Sequence, residues 1–171
     1  MIRLLGALCL TAFGAALGLR RAEAMCMRAE QLCELESSLH VIAGELDTYS
    51  APLGEILERL ASRCGGAVGA LFSGLSRDME KLPDLGFAAL WENAVSAQSG
   101  LALTPAELSE LKRLGCVLGR YDAQSQSRAV RLCGESFGRC AEAARAEAAA
   151  QRRMWTGLGT AAGALAAVML L

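Results

Sequence analysis

The chain has 171 residues, of which 53% are hydrophobic and 20% charged, and its mean hydropathy is +0.32. This hydropathy is high for a water-soluble domain, so we expect part of the chain to lie in a membrane. The 17 Lys and Arg against 18 Asp and Glu give a net charge of −1, which argues against a nucleic-acid partner. With 3 prolines and 5% aromatic residues, the composition favours helices, and we predict an all-α fold.

Two uncharged segments lie at the ends of the chain, and each predicts a transmembrane helix. Leu4–Leu19, extended by the residues before it, predicts a membrane helix over 1–19, and Met154–Leu171 predicts one over 154–171. Arginines cluster beside the inner ends of both segments, at Arg20, Arg21, Arg28, Arg145, Arg152 and Arg153. The positive-inside rule therefore places residues 20–153 in the cytoplasm and both termini outside.

A secretory signal peptide is the alternative interpretation of the first segment. Ala22-Glu23-Ala24 has the Ala-x-Ala form of a cleavage site, and cleavage would leave an exported helical binding module with a C-terminal membrane anchor. Two arginines precede this site and disfavour cleavage. The 7 cysteines, irregularly spaced, also suit reduced thiols in a cytoplasmic domain better than a disulfide framework.

The middle segment, residues 20–153, predicts one bundle of about six helices. Apolar residues of its first helix recur at steps of three and four, as in an amphipathic helix, at Leu32, Leu35, Leu39, Ile42, Leu46 and Tyr49. Three short helices should follow over Pro52–Cys64, Ala67–Lys81 and Leu85–Ala97, separated at Gly65-Gly66 and at Pro83-Asp84. Their apolar faces carry Leu53, Ile56, Leu57, Leu60, Val68, Leu71, Phe72, Leu75, Leu90, Trp91 and Val95.

The last two helices of the bundle have clear boundaries in the sequence. Thr104-Pro105-Ala106-Glu107 combines an N-cap, a first-turn proline and the glutamate of a capping box, and it begins a helix that should end near Tyr121. Residues 123–153 contain no proline and are rich in Ala, Glu and Arg. They predict a long helix that leads directly into the second membrane helix.

No residue pattern in the chain predicts catalysis or a cofactor. Cys26, Cys33, Cys133 and Cys140 form two pairs at i, i+7, but that spacing separates Cα atoms by about 10 Å, too far for one pair to share a zinc ion. We therefore expect these cysteines to serve in packing, and the alternative is an intracellular thiol or metal sensor that uses all four. His40 is the single histidine of the sequence, and we expect it to be an exposed or half-buried helix residue. We predict a protein that is not an enzyme, with no metal, cofactor or small-molecule substrate.

Pairs of glycines at i, i+4 predict close helix packing. Gly14 and Gly18 lie in the first membrane segment, and Gly159 and Gly163 in the second. Such pairs let helix backbones approach closely in lipid, within one chain, with partners or in a homo-oligomer. The same spacing occurs at Gly115 and Gly119 in the bundle. Because glycine costs a helix about 1 kcal/mol relative to alanine, this pair suggests a close helix crossing.

Taken in order along the chain, these features resemble the stage III sporulation protein AB family. The resemblance covers the whole chain, and its most specific part is the sequence LGCVLGRYDAQSQ over residues 114–126. The motif positions are Gly115, Gly119, Asp122 and Gln126, which match the family as a structural signature without an assigned role.

The resemblance implies a membrane protein of endospore-forming bacteria that belongs to the channel-like complex linking mother cell and forespore. It implies a cytoplasmic helical bundle similar to the platform proteins of type II secretion and type IV pilus machines, in the mother-cell membrane around the forespore. The implied partners are other stage III sporulation proteins, including a cytoplasmic secretion-type ATPase that the bundle would face. The family has no catalytic residues that could be assigned to positions of this chain.

Overall fold

The computed structural model describes the backbone of residues 2–48, 52–118 and 123–170, and the side chains of 20, 23–48, 52–118, 124–155 and 157. Its regular elements are α1 (Ile2–Thr48), α2 (Leu53–Arg63), α3 (Gly66–Asp78), a 3₁₀ turn (Met79–Lys81), α4 (Leu82–Ala97), α5 (Pro105–Leu118) and α6 (Ala123–Leu170). Within these residues all regular structure is helical, so the predicted all-α fold is confirmed.

Both terminal helices are long and continuous. α6 extends from Ala123 to Leu170, which confirms the prediction that the last helix of the bundle continues into the following apolar segment. α1 likewise joins the first apolar segment and the leucine-striped helix in one element from Ile2 to Thr48. No proline lies in this stretch to end the helix between the two segments.

The chain divides into two compact units. The terminal unit comprises Met1–Ala29 and Glu142–Leu171, and the central unit comprises Glu30–Ala141. In the terminal unit the buried apolar side chains among the described residues are all alanines, at positions 29, 144 and 148. The central unit contains α2 to α5 with the adjoining parts of α1 and α6, and it holds the larger apolar core.

The core of the central unit contains the apolar faces that the sequence predicted. The following side chains are at most 3% exposed: Leu32, Leu35, Leu39, Ile42, Ile56, Leu57, Leu60, Val68, Leu71, Phe72, Leu75, Leu90, Trp91 and Val95. Burial of each large apolar side chain contributes about 1.5–3 kcal/mol before entropy costs. Leu46 and Leu53 are only half-buried, and Tyr49 lies outside the described residues.

Within the core, α2 packs on α3 and α4 packs on α5. α2 is also attached to α1 by an ion pair between Arg59 and Glu45, whose N and O atoms lie 3.0 Å apart. The link between α2 and α3 is fixed to α1 as well, because the Gly65 N–H donates to the Glu34 carboxylate at 3.2 Å. The helices of the central unit are therefore connected by polar contacts as well as by apolar packing.

The boundary between α3 and α4 differs from its prediction. Pro83 and Asp84 do not separate two helices, because proline fits in the first turn of a helix and Pro83 occupies that position in α4. The break lies instead at Gly86, whose φ of 72° and ψ of 156° interrupt the helix. Glycine adopts positive φ without steric cost, and Gly66 does the same at the start of α3, with φ of 51°.

The capping box at the start of α5 forms as the sequence predicted. The Thr104 N–H donates to the Glu107 carboxylate at 2.7 Å, and the Glu107 N–H donates to the Thr104 hydroxyl at 3.3 Å. These two bonds satisfy backbone donors that would otherwise lack a partner in the helix. α5 is described as far as Leu118, and its predicted end near Tyr121 lies outside the described residues.

In the part of the chain that the structure describes, no helix combines the length and the hydropathy that a membrane span requires. Most side chains of the two predicted membrane helices, over 1–19 and 154–171, lie outside the described part of the chain. The surroundings of Gly14, Gly18, Gly159 and Gly163 lie outside it as well.

Thr104→Ala should lower the free energy of unfolding by about 1 kcal/mol, because it removes the hydroxyl that accepts the Glu107 N–H. Urea titration of the purified protein, followed by circular dichroism, measures the change. Ser73→Ala, at an exposed position inside α3, is the matched control and should cause no loss, because alanine favours helix. Equal stability of wild type and Thr104→Ala would contradict the role of the capping box.

Candidate functional site: the hairpin of α5 and α6

The sequence signature over residues 114–126 spans the end of α5 and the start of α6. Gly115 is buried in α5, and Gln126 is half-buried in the first turn of α6. Gly119 and Asp122 lie outside the described residues. The described part of the signature therefore belongs to a helical hairpin, and its surroundings decide what the hairpin can do.

On one side, α5 packs against α4 through Gly115 and Trp91. A Cβ atom on Gly115 would lie 2.6 to 2.8 Å from Cδ1, Cγ and Cβ of Trp91, well inside van der Waals contact. Trp91 is 1% exposed, and its indole Nε1–H donates to the carbonyl of Leu111 at 2.6 Å. Leu111 lies one helical turn before Gly115. α5 thus provides both the space and the acceptor that the buried indole requires.

On the other side, α6 packs closely against α1 through two further glycines. A Cβ atom on Gly134 would lie 3.5 Å from Cβ of Leu39, and one on Gly138 would collide with the carboxylate of Glu36. Gly134 and Gly138 were not among the predicted packing residues. Their i, i+4 spacing, which is the same as that of Gly115 and Gly119, was the signal that could have identified them.

Polar side chains hold the same two helices together near the start of α6. The Ser127 hydroxyl is buried and donates to the carbonyl of Ala43 at 3.1 Å. Arg131 forms an exposed ion pair with Asp47. The buried hydroxyl contributes more than the exposed ion pair, because water screens charges at the surface.

Gln31 of α1 holds the connection between α4 and α5. Its amide nitrogen donates to the carbonyl of Gly100 at 3.1 Å, and its amide oxygen accepts the Ala102 N–H at 2.7 Å. This pair of bonds fixes the segment that leads to the capping box. Gln31 could not be identified from the sequence, because its hydrogen-bond partners are about 70 positions away and no local pattern indicates hydrogen bonds over that separation.

A groove with a volume of about 400 Å³ lies between α5 and α6. It is lined by Glu110, Arg113, Leu114, Val117, Ala129, Leu132, Cys133, Ser136 and Arg139. Leu132 is 59% exposed, which makes it the most exposed large hydrophobic side chain among those described. The Ser136 hydroxyl donates to the Glu110 carboxylate at 3.3 Å across the groove.

Cys133 is buried at the base of this groove, in agreement with its predicted role in packing. Burial, with a smaller contribution from the nearby Glu110 carboxylate, raises the pKa of its thiol to about 12, and Arg113 partly offsets this rise. A thiol with such a pKa stays protonated at physiological pH and is a poor nucleophile and a poor metal ligand.

The other cysteines of the two predicted pairs do not join Cys133 in a metal site. Cys26 is exposed, so the packing role predicted for it is wrong, while Cys33 and Cys140 are half-buried. Among the described residues, no group of three or more His, Cys, Asp and Glu side chains is arranged to hold a metal ion. His40 is exposed on α1, as the sequence predicted.

Gly115→Ala should lower the free energy of unfolding by about 1 to 3 kcal/mol, because the new methyl group overlaps Trp91. Gly74→Ala is the matched control, since no atom lies within 4 Å of a Cβ placed there. That control should raise stability by up to about 1 kcal/mol, because alanine favours helix over glycine. Urea titration of both variants measures the difference, and equal stabilities would show that α4 and α5 do not meet at Gly115.

The thiols should differ in their rates of alkylation by iodoacetamide. At about pH 8 the exposed Cys26 and Cys116 should react first, whereas Cys133 should react last because its thiolate is scarce and buried. Peptide mass spectrometry after timed quenching measures each rate. In guanidinium chloride the rates should converge, and rapid labelling of Cys133 in the folded protein would contradict its burial.

Comparison with known proteins places the chain in a family. The family model of stage III sporulation protein AB matches residues 3–171. Stage III sporulation protein AB of Bacillus subtilis (strain 168) is 26% identical over 171 residues, which cover all of both chains. A solved structure of a stage III sporulation protein AB is similar with a TM-score of 0.61 and 26% identity, covering 72% of this chain and 94% of that one. The family is not known for enzymatic activity. This chain belongs to the stage III sporulation protein AB family.

Proposed function

We propose that this protein is a non-enzymatic membrane component of the complex that connects mother cell and forespore and is required for endospore formation. The observation that carries the proposal is the match of the sporulation family to nearly the whole chain, residues 3–171. A role in stage III of sporulation follows from family membership, and the place in a secretion-like complex is the further step that we propose.

In this proposal the central bundle is a platform for protein contacts and engages a cytoplasmic secretion-type ATPase. The geometry supports a platform, because α5 is fixed to α4 through Gly115 and Trp91, and α6 is joined to α1 by the buried hydrogen bond of Ser127. A hairpin held on both sides can transmit a force or a position to its neighbours without changing its own packing.

The proposed location is the mother-cell membrane around the forespore. Two membrane helices, over 1–19 and 154–171, would anchor the chain with both termini outside and residues 20–153 in the cytoplasm. The uncharged terminal segments and the arginines beside their inner ends support this topology. Glycine pairs in both segments would let the helices pack on each other, on partners or in a homo-oligomer.

An in-frame deletion in the source organism tests the proposal. We expect the deletion to abolish heat-resistant spores after engulfment, because the complex would lack its membrane platform. Complementation with the wild-type gene should restore them, and so should the matched variant Gly74→Ala, whose added methyl group meets no neighbour.

Unchanged spore yield in the deletion strain would contradict the proposed role. The mass of the purified full-length product separates the proposed topology from export. An intact N-terminus agrees with a membrane hairpin, whereas a mature chain that begins near Met25 would indicate a cleaved signal peptide and an exported binding module.

A further inference from the structure

We propose that the groove between α5 and α6 is a docking site for an amphipathic helix of a partner protein that carries carboxylates beside its apolar face. The inference rests on the proposed function, because that function makes the bundle a platform for protein contacts. It adds the site on the bundle and the chemistry of the partner segment.

The apolar part of the groove comes from matching stripes on the two helices. Leu114 and Val117 lie three residues apart on α5, and Ala129 and Leu132 lie three apart on α6, so each pair shares one helix face. Leu132 is 59% exposed although its neighbour Cys133 is buried. The stripe therefore leaves a large apolar side chain open to a partner, in a recess that can partly enclose it.

The dimensions of the groove suit a short helix. Its lining residues extend from Ala129 to Arg139 on α6, which corresponds to about 15 Å at 1.5 Å per residue, or about three helical turns. A recess between two packed helices receives a third helix in the manner of helix-in-groove recognition. A membrane surface fits less well, because helices that lie on lipid present a convex apolar face.

The charges of the groove specify the partner's chemistry. Arg113 and Arg139 line it, and neither forms an ion pair with a carboxylate of the described residues. The carboxylate of Glu110 also lines the groove but already accepts the Ser136 hydroxyl. Two guanidinium groups against one carboxylate leave positive charge for incoming Asp or Glu side chains, which arginine binds in bidentate geometry.

Peptide binding to the full-length protein in zwitterionic nanodiscs tests the inference. The probe is a labelled synthetic helix of about 14 residues with leucines on one face and glutamates beside them, and the control peptide has lysine at every glutamate. Fluorescence anisotropy, corrected for empty nanodiscs, should show the glutamate peptide binding about tenfold more tightly than the lysine peptide. The difference should shrink as salt is added.

Variants of the groove make the test specific. The double variant Arg113→Glu and Arg139→Glu should reverse the preference, so that the lysine peptide binds more tightly. Leu132→Ser should weaken binding of the glutamate peptide. Arg128→Glu is the matched control, because Arg128 is exposed on the same helix but does not line the groove, and it should keep the wild-type preference. Thermal unfolding of each variant verifies that it is folded.

Three results would overturn the inference. Equal affinity of the wild type for both peptides would show that charge does not select the partner. An unchanged preference in the folded double variant would place the contact elsewhere. Binding of anionic phospholipid vesicles in place of either peptide, lost in the double variant, would assign the groove to the membrane.

The outcome is distinguishable from that of the proposed function. If deletion of the gene leaves spore yield unchanged while the double variant reverses peptide preference, the sporulation complex is the wrong setting and the docking site stands. If deletion abolishes spores but the preference does not reverse, the role in sporulation stands and the docking site is wrong.

Discussion

The indole of Trp91 lies against the backbone of α5 at Gly115 and donates its proton to the carbonyl of Leu111. A side chain at position 115 would occupy the space that the ring needs, and without the carbonyl the indole N–H would be buried without an acceptor. The placement of α5 on α4 depends on both contacts. Because α5 forms one wall of the groove, the shape of the groove depends on this tryptophan as well.

In the hairpin, α5 is fixed to α4 and α6 is joined to α1, whereas the groove between α5 and α6 is open. α6 meets α1 at Gly134, where an added Cβ would make ordinary van der Waals contact with Leu39, and at Gly138, where it would meet the flexible carboxylate of Glu36. Glycine costs each helix stability, but a close crossing recovers dispersion energy along the contact. The groove between α5 and α6 carries Leu132 and two arginines, Arg113 and Arg139. The proposed docking site depends on this combination of packed and open surfaces.

Local sequence predicted most elements of the central unit. The capping box at Thr104 and Glu107 formed because its two hydrogen bonds join residues three positions apart. The apolar stripe from Leu32 to Ile42 is buried, since helical periodicity places these residues on one face. The boundary at Pro83 was wrong, because proline is compatible with both the end of one helix and the first turn of the next. Within α4 the helical backbone is interrupted at Gly86, whose φ is positive.

The candidate site could be predicted only in part. The signature drew attention to Gly115, but its partner Trp91 lies 24 positions earlier in the chain, and the sequence had marked that tryptophan only as an apolar residue. The groove could not be foreseen, because residues of two helices line it and their relative position depends on packing against α1 and α4. Sequence by itself determined the helical class and the polar middle between apolar ends, because both follow from composition and local spacing. The family resemblance came from the match of the motif over residues 114–126. Only the tertiary structure decided which glycines admit a neighbour and which arginines face an open groove, because these depend on contacts between residues far apart in the chain.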